Sequence, residues 1–449
     1  MARTSVIRRA ARAERARTPA SKFPSPFVFN DRMPITLVEL RMRRFSGMIR
    51  SKADWWEKVK DPELRAKWRK EMVEQDRAAV EQFWGGSKRF DYGRGEKQWP
   101  RDPITDVQLD YIFDQLEYEA SQRDPATGIF ATSIPKVYES RSLIPADLKS
   151  TLVSGVSILE SVPDEEKDWH PGSDGQVLDL VHPSLYCLRI GESLVRFHAE
   201  ATDTNSIDGD TLRIMEKEEY MSLRPDLDPR IAYVVSSEYQ WLPTDFEVSE
   251  EADVVALSYI NNLHPIQHRS LYPTISSILS RFVPLFERVL SDTLGPEPPL
   301  AVDVDPLYWY EHVDSPDWDN LECLPGEDRD ECCRRWEREH RWPLIPEPAP
   351  FSPPCTDRRV DFKLRGRTMQ VIVKLANIIL TPEKPRYLGG SWHVEGMANE
   401  KIVATGLYYY DCKNITESRL DFRTVVGEGE DNGRGMLYED MQTLSRMAP

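Results

Sequence analysis

The sequence predicts an α+β protein in which a mainly helical region, 25–135, precedes an antiparallel β core. Three observations carry this. Helix-start signals stand ahead of apolar stripes of helical period in the first 120 residues. Runs that alternate apolar and polar, broken by proline and glycine, dominate the middle of the chain. Four such runs then crowd 368–426 at short intervals, the rhythm of an antiparallel sandwich or barrel.

Thr36 and Glu39 form a capping box ahead of Leu37, Leu40, Phe45 and Met48, so a short helix begins there. Asp61-Pro62 supplies an N-cap and a first-turn proline for a second helix. Its stripe is Leu64, Trp68, Met72, Ala79 and Phe83, and Gly85-Gly86 stops it. A third helix is expected from about Asp106 to Ala120. These aromatics read as core. Over 136–290 strands and helix mix: "LDLVHPSLYCLRIG", "RIAYVVSSEYQWLPTDFEV" and "VVALSYINNLHP" read as strands. Ile275, Ile278, Leu279, Phe282, Leu285, Phe286 and Leu290 then recur at helical spacing, with a kink expected at Pro284. The stretch 291–360 is rich in Pro, Trp and acid, and reads as an ordered lid or insertion. The strands of 361–426 follow, then an irregular tail over 427–449.

The formal net charge of −17 argues against a nucleic-acid or anionic-membrane partner. No apolar run has the length to span a bilayer. The first 22 residues carry six arginines and one lysine against one glutamate, and 1–24 is read as a disordered basic tail. An intracellular, cytoplasmic or nuclear, location is expected, with a mitochondrial address as the alternative. The six cysteines show no regular framework, so free thiols in a reducing compartment are expected. Cys323, Cys332, Cys333 and His340 cluster without matching a zinc module.

The chemistry-bearing stretch is "GGSWHVEGMANEKIVATGLYYYD", residues 389–411. In a strand, positions two apart share a face, so His393 and Glu395 stand side by side while Val394 turns into packing. One strand can in this way supply two ligands of a 2-His-1-carboxylate iron site, the third coming from a histidine on a later strand. Taken alone, His-x-Glu equally describes a surface pair. His182 and His264 each precede a proline, where a turn or capping role competes with a metal role. Lys374 and Arg423 are candidates for an acidic co-substrate, with a solvated face as the plainer reading. Tyr408 and Tyr410 share one face, expected inward, and Tyr409 takes the other.

The blocks "LPTDFEV", "SYINNLHP", "RFVPLFERVL" and "VKLANIILTPEKPRYLGGSWHVEGMANEKIVATGLYYYD" closely resemble the fungal family of domain of unknown function 4246. "DWWEKVKDPELRAKWRKEM" and "LVHPSLYCL" extend the likeness over nearly all of 25–426. The family in turn looks like a remote branch of the iron- and 2-oxoglutarate-dependent oxygenases. That resemblance implies a double-stranded β-helix (jelly-roll) core, Fe(II) and 2-oxoglutarate as cofactors, and His393 and Glu395 on the metal-binding strand. The family pattern goes on to a distal histidine and a 2-oxoglutarate-binding arginine. No histidine follows His393 in this sequence. A C-terminally incomplete core, weak or absent turnover and self-association through open strand edges are therefore expected. A non-catalytic binding or scaffold protein and a cupin-like metal-binding protein are the alternatives.

Overall fold

The computed structural model describes residues 23–25, 27, 35–84, 100, 102–198, 210–223, 233–296, 298–302, 317–340, 346–355, 359–416 and 418–423. All but the last two residues of the expected basic tail, and the whole of the 427–449 tail, lie outside them. The chain folds as two compact units.

One unit takes Phe29–Arg141 and Gly295–Arg359. Helix α1 (Leu37–Arg50) starts as expected: the Thr36 hydroxyl accepts the Glu39 backbone N–H at 3.1 Å. The Glu39 carboxylate departs from the capping box. It accepts Arg43 Nε at 2.7 Å and the Val302 backbone N–H at 3.1 Å, which fixes the later chain on this helix. The single turn α2 (Trp55–Lys58) buries Trp55 completely. Helix α3 (Pro62–Trp84) is capped by Asp61 Oδ1, which accepts the Glu63 and Leu64 amides at 2.9 and 3.3 Å. Trp68 and Met72 of its stripe are buried; the side chain of Phe83, and Gly85-Gly86, lie outside the described residues. In α4 (Asp106–Ser121), capped by Thr105, Leu109, Ile112, Phe113 and Leu116 form the buried face. Together with Val38, Met42, Phe45 and Ile49 they make one continuous apolar core. A two-stranded hairpin, β1 (Phe130–Ala131) with β2 (Tyr138–Glu139), adds Phe130 to it.

The excursion expected as a lid contributes to this unit. Val302 is buried in its core, and Phe351 packs edge-on against Tyr111 at 5.5 Å. Free thiols were expected here, and Cys323 and Cys332 correct that. The turn before the helix at Arg329–His340 brings their Cα atoms to 5.2 Å, and the pair is joined as a disulfide. The side chain of His340 lies outside the described residues.

The second unit takes Ser142–Leu294 and Val360–Arg423. It holds α5 (Ala146–Glu160), α6 (Lys217–Ser222) and the long α7 (Leu271–Leu294). Helix α7 runs through Pro284, whose ring removes one ladder bond while Phe282, Val283 and Leu290 stay buried on either side. Its strands are β3 (Asp168–Trp169), β4 (Val177–Val181), β5 (Leu188–Arg189), β6 (Leu194–His198), β7 (Asp210–Ile214), β8 (Tyr239–Gln240), β9 (Thr244–Val248), β10 (Val254–Ala256), β11 (Arg367–Val371) and β12 (Leu375–Ile378). They form antiparallel sheets in the orders β10-β9-β11, β12-β4-β3, β5-β8 and β6-β7. The protein is thus α+β, and among the described residues these small sheets do not close into a barrel.

The alternation read from the sequence is visible in β9, where Thr244, Phe246 and Val248 are buried. The entry to β11 is held by α7: Glu287 Oε1 accepts the Leu364 amide and Ser291 Oγ the Phe362 amide, each at 2.9 Å. The stretch "TMQVIVKLANIILT", expected as one strand, divides into β11 and β12, which join different sheets. The three later strand candidates do not join a ladder among the described residues. In "KIVATGLYYYD" the alternation nonetheless survives as packing. Ala404, Tyr408 and Tyr410 lie against the core under α7, whereas Val403, Leu407 and Tyr409 are exposed. Side-chain period alone places a face; a ladder also needs a neighbouring backbone edge, which the local sequence does not encode.

Candidate functional site

Between β11 and β12 the chain presents Lys374, and the segment that returns after β12 carries His393 and Glu395. That segment is pinned just beyond the motif. Asn399, almost wholly buried, accepts the Ser236 amide at 2.9 Å and donates to the Ser236 carbonyl at 2.8 Å. Glu400 accepts the Trp241 amide at 2.8 Å through Oε1 and the Met397 amide at 2.6 Å through Oε2. Gly396, at φ +70°, makes the turn between motif and anchor. Sequence reasoning missed Asn399 and Glu400. The polar run "ANEK" inside an apolar pattern was their available signal.

The expected side-by-side pair is present. His393 Nε2 lies 3.7 Å from Glu395 Oε1. His393 Nδ1 lies 2.6 Å from the Ser391 carbonyl oxygen, an acceptor only, so Nδ1 carries a proton, and Nε2 is the nitrogen that faces the carboxylate. Glu395 Oε2 in turn accepts Lys374 Nζ at 3.0 Å. The His393 side chain is 65% exposed and that of Glu395 31%. Val394, expected in packing, is 46% exposed.

Of the other candidates, Lys374 joins the pair and sits 5.5 Å from the Trp241 ring centroid. Arg423 stacks on Trp392 at 4.0 Å, next to the motif. His264 is a turn cap: its Nδ1 accepts the Ile266 and Gln267 amides at 3.2 Å each. His182 is buried, packs 5.9 Å from the Trp241 ring and has its pKa pushed down by burial, with Asp179 opposing and Lys374 and His170 reinforcing. Sequence reasoning did not connect it with His170 and Asp179. The glycine-rich turn "HPGSDG" between them was the signal for a hairpin that brings them together.

A metal at the motif would be held by His393 Nε2 and Glu395. Imidazole plus carboxylate is the right kind of donor set for a first-row ion. Among the described residues no third His, Cys, Asp or Glu completes a group with them.

Fold and site together define an α+β protein with small antiparallel sheets and a His-x-Glu pair braced by a lysine. Residues 106–447 match the family described as protein of unknown function (DUF4246), and residues 6–71 match the domain of unknown function DUF4246, N-terminal; the chain belongs to this family. No curated protein and no solved structure matches it. No helix of the described residues is long and apolar enough to cross a membrane.

Proposed function

We propose that this chain is a relative of the iron- and 2-oxoglutarate-dependent oxygenases, built on a jelly-roll core, with His393 and Glu395 as two ligands of a ferrous ion. The observation that carries the reading is the orientation of His393. Its Nδ1 is committed to the Ser391 carbonyl, and Nε2 faces Glu395 at 3.7 Å. Metal-ligating histidines commonly have their second nitrogen fixed in this way. Bound iron with 2-oxoglutarate would supply the oxidising chemistry; the protein's part is to orient the donors. With two donors in place, ferrous ion is expected to bind loosely and the chain to turn over weakly or not at all.

The test is an anaerobic Fe(II) titration of the full chain, with succinate formation followed in parallel. The expected result is weak binding at the motif, lost from it in both H393A and E395A, without succinate. Tight stoichiometric iron with steady turnover would overturn the inactive reading; binding untouched by both variants would overturn the site.

The Lys374–Glu395 ion pair favours a second reading, a non-catalytic binding or scaffold protein, because the carboxylate is already neutralised without a metal. Exposed Leu388, Val394, Leu407, Tyr409 and Phe422 along 388–422 support self-association in either case. Light scattering of the purified chain checks this, with a strictly monomeric solution as the contrary result.

A further inference from the structure

The β3–β4 hairpin and the turn after it collect a second set of donors that the His-x-Glu motif does not use. Asp168 pairs with Asp179 and Trp169 with Leu178 across the hairpin. The His170 amide continues the ladder to the Val177 carbonyl at 2.9 Å. His170 lies two residues beyond Asp168, so it shares that face and stands diagonal to Asp179. Its Nδ1 approaches Asp179 Oδ2 at 2.8 Å. Beyond the end of β4, His182 turns at Pro183, and its ring meets that of His170 edge-on at 5.4 Å between centroids. One ligand atom from each of His170, Asp179 and His182 lies within 4.8 Å of the others.

We infer that His170, Asp179 and His182 form a divalent-metal site of the zinc or cobalt type, separate from the His393–Glu395 pair and independent of the oxygenase reading. Two imidazoles and one carboxylate suit a borderline ion of this kind. Four-coordinate zinc holds its donors about 3.3 Å apart, so the three side chains need close by at most about 1.5 Å, within reach of small χ rotations. Asp179 is 7% exposed and His170 44%, so the set is anchored on the protein side and open on the His170 side. Three protein ligands with one open position is the composition of a reactive rather than a closed structural zinc site.

The surroundings suit this role. Strand β12 pairs with β4 on the side away from β3, and its register breaks between Leu375 and Ala376, opposite Val181 and Asp179. Trp241 covers His182 and is itself held by its indole N–H donating to Ser184 Oγ at 3.2 Å. The Ser184 amide contacts His182 Nδ1 at 3.3 Å, a long bond that metal binding through either ring nitrogen displaces.

The test is titration of the metal-free full chain with Co(II), reading the visible d–d absorption of low-coordinate cobalt and its displacement by Zn(II). Circular dichroism checks that each variant is folded. The expected result is one cobalt per chain whose affinity falls at least about tenfold in Asp179→Asn and in His182→Gln, and is unchanged in His393→Ala and Glu395→Gln. Because Asp179→Asn is isosteric, it tests the site where a histidine variant fails to fold. Absorption lost in His393→Ala but kept in Asp179→Asn would overturn the inference and leave the motif as the metal site. Absence of cobalt absorption in the wild-type chain would overturn it as well. Failure of the oxygenase reading would show instead as absent Fe(II) binding at the motif, with the cobalt result intact.

Discussion

The Lys374 ammonium lies 3.0 Å from Glu395 Oε2, while Oε1 of the same carboxylate is the atom nearest His393 Nε2, at 3.7 Å. One carboxylate therefore serves two claimants, and a cation at the motif must compete with the lysine. Lys374→Met is expected to strengthen divalent-metal binding at His393–Glu395 by up to about fivefold. That is the scale of a half-exposed ion pair of up to about 1 kcal/mol. Calorimetric titration of the variant checks this; an unchanged or weakened affinity would show that the ion pair does not compete with metal.

Gly406 sets how closely the chain after the motif can approach α7. A Cβ there would lie 2.6 Å from Phe282 Cδ1 and 2.9 Å from Phe286 Cζ. Aromatic rings in a packed core have little room to yield, so Gly406→Ala is expected to destabilise this unit by about 1–3 kcal/mol. The double variant with Phe282→Leu should recover part of the loss. Urea unfolding reads both, and equal stability of Gly406→Ala and wild type would exclude the clash.

What the sequence made legible was local. Thr36 and Asp61 cap helices because a side chain and an amide two or three residues on are held together by the helix start itself. His393 and Glu395 meet because extended chain repeats its face every second residue. Tyr408 and Tyr410 pack inward while Tyr409 is exposed, for the same reason. What was hidden depends on register between distant segments. The approach of His170 to Asp179 needs the β3–β4 pairing, and that of Lys374 to Glu395 needs the path of the chain after β12. The Cys323–Cys332 bond was missed because a spacing of nine residues fixes no geometry until the turn before the helix is formed.

In the helical unit, Arg41 and Asp76 are both almost wholly enclosed. The guanidinium donates to the Asp102 carbonyl at 2.5 Å and to Gln108 Oε1 at 2.6 Å, with Asp76 Oδ2 at 3.5 Å. Asp76 also accepts the Ile104 amide at 2.5 Å. Burial pulls the Arg41 pKa below its ordinary value, and Asp76 opposes this. Removing one partner leaves the other's buried charge less well compensated, so Arg41→Met and Asp76→Asn should each destabilise this unit, by up to about 3–5 kcal/mol. The double variant should cost less than the sum, since the two losses share one interaction. Strict additivity in urea unfolding would show that the two charges are not coupled.

Tyr410 gives the second unit an alkaline sensitivity of predictable sign. Its hydroxyl donates to Asn377 Oδ1, and its pKa is pushed up to about 12, first by burial and then by the charges of Glu160 and Asp411. The ordinary tyrosine value is about 10. Between the two values the folded chain keeps a proton that the unfolded chain has lost, so stability falls as pH rises through this window. The contribution is fully present below the unfolded value and gone above the folded one. Tyr410→Phe loses the hydrogen bond and is less stable near neutrality, yet it lacks this titration. The stability gap between wild type and Tyr410→Phe should therefore narrow steadily from pH about 10 to about 12. Unfolding free energies measured across that range check the sign: a gap that stays constant or widens would mean that the Tyr410 phenol does not stay protonated in the fold.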